Sequence, residues 1–163
     1  MKTINKTDMK LIIRIATMED GETIGAFQIA CAKESENRDL SPREVEAGVC
    51  SILSLMGTPA ARGEYIVVED EGNKIVGCSL LQLQFSDWKC GLYLNVESVY
   101  VLPEYRGKGI LQDMMEYIED GARKMGQVCE IRLCVAETNI PMHWALEKVN
   151  ITKSKYVIFS KIL

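Results

Sequence analysis

One histidine, His143, is all that the 163-residue chain contains, and no two of its six cysteines stand in a CxxC pair. A structural zinc site, and metal dependence generally, is therefore not expected. Basic excess is missing too: 19 Lys and Arg face 23 Asp and Glu, for a net charge of −4. That argues against nucleic acid as the main partner, because counterion release needs a basic surface. The acidic balance suits a cationic ligand, although many proteins are this acidic without one. Long apolar runs are absent near the start, where Leu11-Ile12-Ile13 falls far short of a signal peptide or a membrane span. No membrane partner and a cytoplasmic location are expected. Repeats, low-complexity tracts and Pro/Gly linkers are also lacking, so one domain over residues 1–163 is expected, with residues 1–10 flexible.

Hydrophobic residues make up 47% of the chain, enough for a sizeable core. Cys78, Cys129 and Cys134 sit in apolar stretches that read as strands, where buried free thiols in a reducing compartment are the default. Residues 11–16 read as a strand and residues 20–33 as a helix with acidic residues at its start. The charged segment 33–43 reads as a loop. Ser41-Pro42-Arg43-Glu44 opens a second helix, with Ser as cap and Pro in the first turn, and Gly57 stops it after Met56. Residues 64–69 and 74–85 flank Glu71-Gly72-Asn73 as a hairpin.

Residues 92–101 form another strand with an irregular alternation. Leu92, Leu94 and Val96 share one parity, and Val99 and Val101 take the other. Two readings fit: a β-bulge near Glu97-Ser98, or a strand buried on both faces. From residue 108 to 125 the period becomes helical, through Ile110, Leu111, Met114, Met115, Ile118, Ala122 and Met125. Residues 129–136 return to strand, 141–149 to helix, and 156–162 to a last strand. The sum is a mixed α/β chain whose segment 92–136 should form a right-handed parallel crossover.

The stretch that carries chemistry is Val99-Tyr100-Val101-Leu102-Pro103-Glu104-Tyr105-Arg106-Gly107-Lys108-Gly109-Ile110. A strand ends, a short loop holds two glycines and two cations, and a long helix begins. Glycines let the backbone approach a ligand, and N–H groups at a helix start suit a pyrophosphate. Neither the P-loop nor the GxGxxG spacing is present.

At these residues the chain resembles the GNAT N-acetyltransferase superfamily, whose R/Q-x-x-G-x-G/A loop cradles the pyrophosphate of acetyl-CoA. Arg106 and Gly109 match, but Leu111 stands where the last small residue is expected. The resemblance runs roughly over residues 11–163 and is sharpest over 88–150. Val96-Glu97-Ser98 and Val135-Ala136-Glu137-Thr138-Asn139-Ile140-Pro141 look nearest to the polyamine (diamine, spermidine/spermine) branch. The resemblance implies an α/β fold with a mostly antiparallel, splayed sheet of about six to seven strands and about four helices. It implies acetyl transfer from acetyl-CoA to a primary amine of a polyamine or other small molecule, and a homodimer.

Roles follow from the same resemblance. Glu97 matches the proposed base that takes the proton of an alkylammonium; as a bare residue it is equally a solvated strand glutamate. Val99 would offer an N–H to the thioester oxygen, and Tyr100 and Val101 would flank the pantetheine arm. Arg106, Gly107, Lys108, Gly109, Ile110 and Leu111 would hold the pyrophosphate. Asn139 is a common coenzyme neighbour in the family, and it also fits an Asx turn or a helix cap. Glu137 is a weaker base or ammonium ligand. Glu34, Glu36 and Asp39 can hold a cationic acceptor or form a solvated loop, and Trp88 with Asp87 can wall the acceptor pocket or meet a partner.

One departure matters. The family's acid Tyr, seven residues after Asn139, is Leu146 here. General acid catalysis is worth about 10²–10⁴ in rate, so a slower or differently assisted enzyme is expected, with Cys134, His143 or Tyr156 as substitutes. Two rivals stay open: a protein, peptide, amino-acid or aminoglycoside acceptor, and a coenzyme-A-binding module without turnover. The segment after Val149 is short for two closing strands, so one can be missing or supplied by a partner.

Overall fold

The computed structural model describes residues 1–6 and 9–162. In chain order the elements are β1 (Lys2–Lys6), β2 (Met9–Ile15), α1 (Gly21–Glu36), α2 (Pro42–Leu53), β3 (Glu64–Glu69), β4 (Ile75–Ser86), β5 (Gly91–Val101), α3 (Ile110–Met125), β6 (Val128–Leu133) and α4 (Ile140–Glu147). Strand order follows sequence order across one six-stranded sheet. Neighbours are antiparallel except β5 and β6, which run parallel on either side of α3. This is the mixed, mostly antiparallel sheet with four helices that the family resemblance implied. Among the described residues no helix is long and apolar enough to cross a membrane.

Local chemistry sets the helix ends. The Thr17 N–H donates to Asp20 Oδ2 at 2.6 Å, closing a short 3-10 turn ahead of α1. The Glu44 N–H donates to Ser41 Oγ at 3.4 Å, and Pro42 sits in the first turn of α2. Gly109 and Gly126 bracket α3 in the left-handed region, with φ of 77° and 71°.

Each sheet face has its own cover. One core joins Leu11, Ile13, Ile66, Val68, Val76, Leu94 and Val96 to the α3 stripe of Ile110, Met114, Met115, Ile118 and Ala122. The other joins Tyr65, Val67, Cys78, Leu80 and Tyr100 to Ile24, Phe27, Val49 and Leu53 of the first two helices. Burying one such aliphatic side chain is worth about 1.5–3 kcal/mol. Leu94 and Val96 thus face α3, whereas Tyr100, of the same parity, faces α1.

That inversion decides between the two readings of residues 92–101. Leu80 pairs with Glu97 and Cys78 with Tyr100, so two residues of β5 pass one of β4. Ser98 takes a φ of 53° at this point. The strand is bulged. Gly77 lies opposite Val101, and a Cβ there would stand 2.9 Å from the Tyr100 carbonyl oxygen.

Residues 1–10 hold β1, a strand whose lysines give no apolar alternation, and the start of β2; residues 7 and 8 lie outside the described residues. Three expectations are corrected. The loop at 33–43 is shorter, because α1 runs on to Glu36 and ends at Asn37 with φ 50°. The closing strand at 156–162 is not formed. The Tyr156 N–H donates to Ser154 Oγ at 3.0 Å, and Val157, Ile158, Phe159 and Ile162 are exposed. Alternation alone does not make a strand, which needs a paired edge. Finally, Cys78 is buried, but Cys129 and Cys134 are exposed near the rim.

Candidate active site

The bulge changes which way β5 aims its backbone. Before it, the Leu92 N–H donates to Gln127 O at 2.9 Å, so even-numbered residues face β6. After it, the Leu102 N–H donates to Val76 O at 2.9 Å, so even-numbered residues face β4. Val99 and Val101 therefore point their N–H and C=O groups away from β4. No strand meets them there, because the β5–β6 ladder ends at Val96 and Leu133.

A cleft of about 680 Å3 opens on this unpaired edge. Val99, Tyr100, Val101, Arg106, Gly107, Gly109, Ile110, Leu111 and Asn139 all line it, so the structure brings together nearly every residue the sequence assigned to the coenzyme. Lys108 is outside that lining, with its Nζ 5.1 Å from the centre of the Tyr105 ring. Ile110 contributes backbone, since its side chain is 2% exposed in the core. Leu111 leans on the α3 core while still lining the cleft. The first N–H groups of a helix have no intrahelical acceptor, so those of Ile110, Leu111 and Gln112 are directed at this space. Gly107, with φ 73°, would have open room around a Cβ, so its role is the left-handed turn.

A second cleft, of about 320 Å3, adjoins the first. Glu97, Ser98, Cys134, Glu36 and Arg38 line it. Cys31, Ser35, Val99, Asn139 and Met142 belong to both, so the two spaces meet at the bulge. Among the described residues no side chain hydrogen-bonds or ion-pairs with the Glu97 carboxylate; only its carbonyl is used, accepting from Ser79 Oγ at 3.0 Å. Burial pushes the Glu97 carboxyl above its ordinary value.

The loop cation is engaged. Arg106 Nη2 donates to Glu34 Oε2 at 2.7 Å, and its Nε donates to Val101 O at 2.8 Å. The Tyr100 hydroxyl donates to the other Glu34 oxygen at 2.8 Å. Burial alone would raise the Glu34 carboxyl, but the Arg106 and Tyr100 bonds outweigh it and hold it below the usual range. Burial and Glu34 together push the Tyr100 hydroxyl up to about 12. The Tyr100 ring packs beside Phe27 at 5.0 Å and its main chain pairs with β4, so it borders the cleft through the ring edge that meets Glu34 and Arg106.

Other candidates fall into place or drop away. The Asn139 side chain accepts from the Met142 N–H at 3.2 Å, so it caps α4 while lining both clefts. Leu146 is buried at 7% exposure, among core residues rather than at the cleft wall. Of its three suggested substitutes, Cys134 alone reaches a cleft, and burial plus the nearby Glu97 and Glu36 raise its thiol. His143 is 3.0 Å from Ala136 O, and Tyr156 is exposed beyond the fold. Glu137 pairs with Lys153 at 3.3 Å, Asp39 with Lys33 at 2.8 Å, and Trp88 is exposed on the hairpin between β4 and β5. Sequence reasoning missed Gln28, Cys31, Ser35, Trp144 and Lys148 as lining residues, because helix periodicity alone does not say which end of a helix borders a cleft.

Comparison with known proteins follows this geometry. Residues 39–150 match the model of the acetyltransferase (GNAT) family. A possible acetyltransferase from Clostridium difficile 630 superposes with a TM-score of 0.83 at 31% identity, over 94% of this chain and 97% of that one. A predicted acetyltransferase from Clostridium acetobutylicum, solved with acetyl-CoA, shares the fold at a TM-score of 0.72 and 15% identity, over 93% and 96% of the two chains. Thialysine N-epsilon-acetyltransferase from Bos taurus is 30% identical over 90 residues, which cover 55% of this chain and 47% of that protein. The chain thus spans about half the length of the named relatives it matches. With a family model matched over most of its length and a bulged strand opening onto a glycine-bracketed helix start, the chain belongs to the acetyltransferase (GNAT) family.

Proposed function

We propose that this protein transfers the acetyl group of acetyl-CoA to a primary amine of a small molecule. The observation that carries the reading is the meeting of the two clefts at Val99, beside Glu97. Acetyl-CoA supplies the activated acetyl thioester. The residues fit it: a helix start aims N–H groups into a long cleft, Arg106 and Lys148 add positive charge, and Trp144, Pro141 and Leu111 give apolar wall.

Glu97 takes the proton from the acceptor ammonium, directly or through one water, since an alkylammonium titrates near pH 10 and is not nucleophilic until deprotonated. Its raised carboxyl is a stronger base than a solvated one. The Val99 N–H, unpaired because of the bulge, donates to the carbonyl oxygen as negative charge gathers there. No acid stands at Leu146, and a thiol of pKa about 8.5 leaves as thiolate at modest disadvantage. Thialysine transferases among the relatives support a small amine acceptor, and the resemblance to the polyamine branch supports a homodimer, which sedimentation equilibrium tests.

Free-thiol release from acetyl-CoA with spermidine, putrescine, amino acids, aminoglycosides and peptides tests the reading. Turnover with a small amine, lost in Glu97→Gln, supports it. Thermal stabilisation by acetyl-CoA with no thiol release from any acceptor sinks it and favours a binding module.

A further inference from the structure

One face of α4 is turned to the larger cleft. Pro141, Trp144, Ala145 and Lys148, spaced three and four apart, all line it, whereas Leu146 turns into the core. The helix starts at its cap, Asn139, where the two clefts meet, so this face runs outward from the reaction centre. Core packing does not account for its largest member. Trp144 is 63% exposed, and among the described residues no other aromatic ring packs on it. A bare indole adds little to the fold, and in a cleft it offers a flat apolar face.

The charge on this wall is uncommitted too. Arg106 and Lys148 are the cations that line the cleft. Arg106 is bonded to Glu34 and to Val101 O. Lys148 stands one turn beyond Trp144, about 6 Å further along the helix axis. It is exposed, and among the described residues no carboxylate pairs with it. The wall thus presents an aromatic face followed by an unpaired ammonium.

We propose that Trp144 and Lys148 form the nucleoside end of the coenzyme site, Trp144 stacking on the adenine and Lys148 meeting the ribose 3′-phosphate. This rests on the acetyl-transfer reading above. That reading gives the pantetheine arm to Val99 and Val101 and the pyrophosphate to the start of α3. The 3′-phosphorylated adenosine is the part of acetyl-CoA still without a partner, and a π-face beside an ammonium matches a base that carries a phosphate. The consequence is selectivity for the carrier. Acetyl-CoA and S-acetylpantetheine bring the same reacting atoms to Glu97 and Val99, and only the first can use binding energy from this remote wall.

Tryptophan fluorescence tests this without turnover. The chain has two tryptophans, so Trp88→Phe leaves Trp144 as the sole emitter. Coenzyme A and adenosine 3′,5′-bisphosphate should quench it, and pantetheine should not. In titration calorimetry Trp144→Ala should bind coenzyme A about 5- to 100-fold more weakly, and Trp144→Phe, which keeps a ring, should recover part of the loss. The kcat/KM preference for acetyl-CoA over S-acetylpantetheine should fall by the same factor, through KM. Lys148→Gln should weaken binding of coenzyme A but not of 3′-dephospho-coenzyme A; equal loss with both overturns the role of Lys148. Quenching by pantetheine as strong as by coenzyme A, an unchanged carrier preference in Trp144→Ala, or unchanged coenzyme A affinity overturns the nucleoside site. Absence of quenching by coenzyme A while thiol release proceeds overturns it as well and spares the acetyl-transfer reading. Quenching by adenosine 3′,5′-bisphosphate with no thiol release from any acceptor upholds the nucleoside site and overturns the transfer reading instead.

Discussion

The two halves of β5 are made of similar residues and do opposite work. From Gly91 to Val96 the strand is hydrogen-bonded on both edges, to β4 and to β6. From Val99 to Val101 it is bonded on one edge, and the other faces a cleft. Ser98, at φ 53°, separates the two. The first half spends its polar backbone on the ladder and gives stability. The second withholds it and gives a binding edge. The β5–β6 ladder ends at Val96 and Leu133, and a single inserted residue decides that Val99 and Val101, rather than Tyr100, present the edge left free.

The most drastic way to break this comparison is to delete Ser98, which would make β5 regular throughout. Val99 and Val101 would still face away from β4, but the local bend of the bulge would be lost and both would be drawn about 3.4 Å toward Glu97, so thiol release should fall more than about 10²-fold, since a misplacement of about 1 Å already has that effect. Loss of thermal stabilisation by acetyl-CoA would accompany it. A Ser98-deleted protein with wild-type turnover would show that the bulge does not create the site.

Glu97→Gln comes next, with kcat expected to fall by about 10²–10⁴. The wild-type rate should rise with pH through a pKa above the ordinary carboxyl value of 4.5, and the Gln variant should lose that limb. Stability runs the other way. A carboxyl raised by folding contributes stability present below its unfolded pKa and lost as pH rises through its folded one. At neutral pH Glu97→Gln should therefore melt no lower than the wild type, by differential scanning calorimetry.

A smaller effect is expected at the mouth. Arg106→Ala removes the cation that bridges Val101 O and Glu34, and the KM for acetyl-CoA should rise by about 10-fold or more with kcat less affected. The smallest is Ser98→Gly. It keeps the bulge and relieves a left-handed serine, so it should stabilise the fold by about 0.5–1 kcal/mol in urea titrations and leave turnover unchanged.

How much of this was legible in the sequence depended on range. The loop Arg106-Gly107-Lys108-Gly109 and the phase change around Ser98 are local patterns, and both appear where the residues said. β1 was illegible because its Lys2, Asn5 and Lys6 give no apolar rhythm; lysines are suited to an edge strand for that very reason. The 156–162 segment failed in the opposite way, with strand-like alternation but no edge to pair with. Glu34 was read as part of an acidic loop, because nothing near it in the chain announces Arg106, 72 positions away.

Gly77 extends the lesson to inheritance. It stands behind the opened half of β5, where even a methyl would meet the Tyr100 carbonyl at 2.9 Å, and it never borders either cleft. A one-nucleotide change at its codon would displace the strand that carries the site from the rear. Genetic screens for inactive alleles should therefore recover substitutions on the closed side of the sheet beside those in the clefts, and some of the former would pass for silent if judged by their distance from the chemistry.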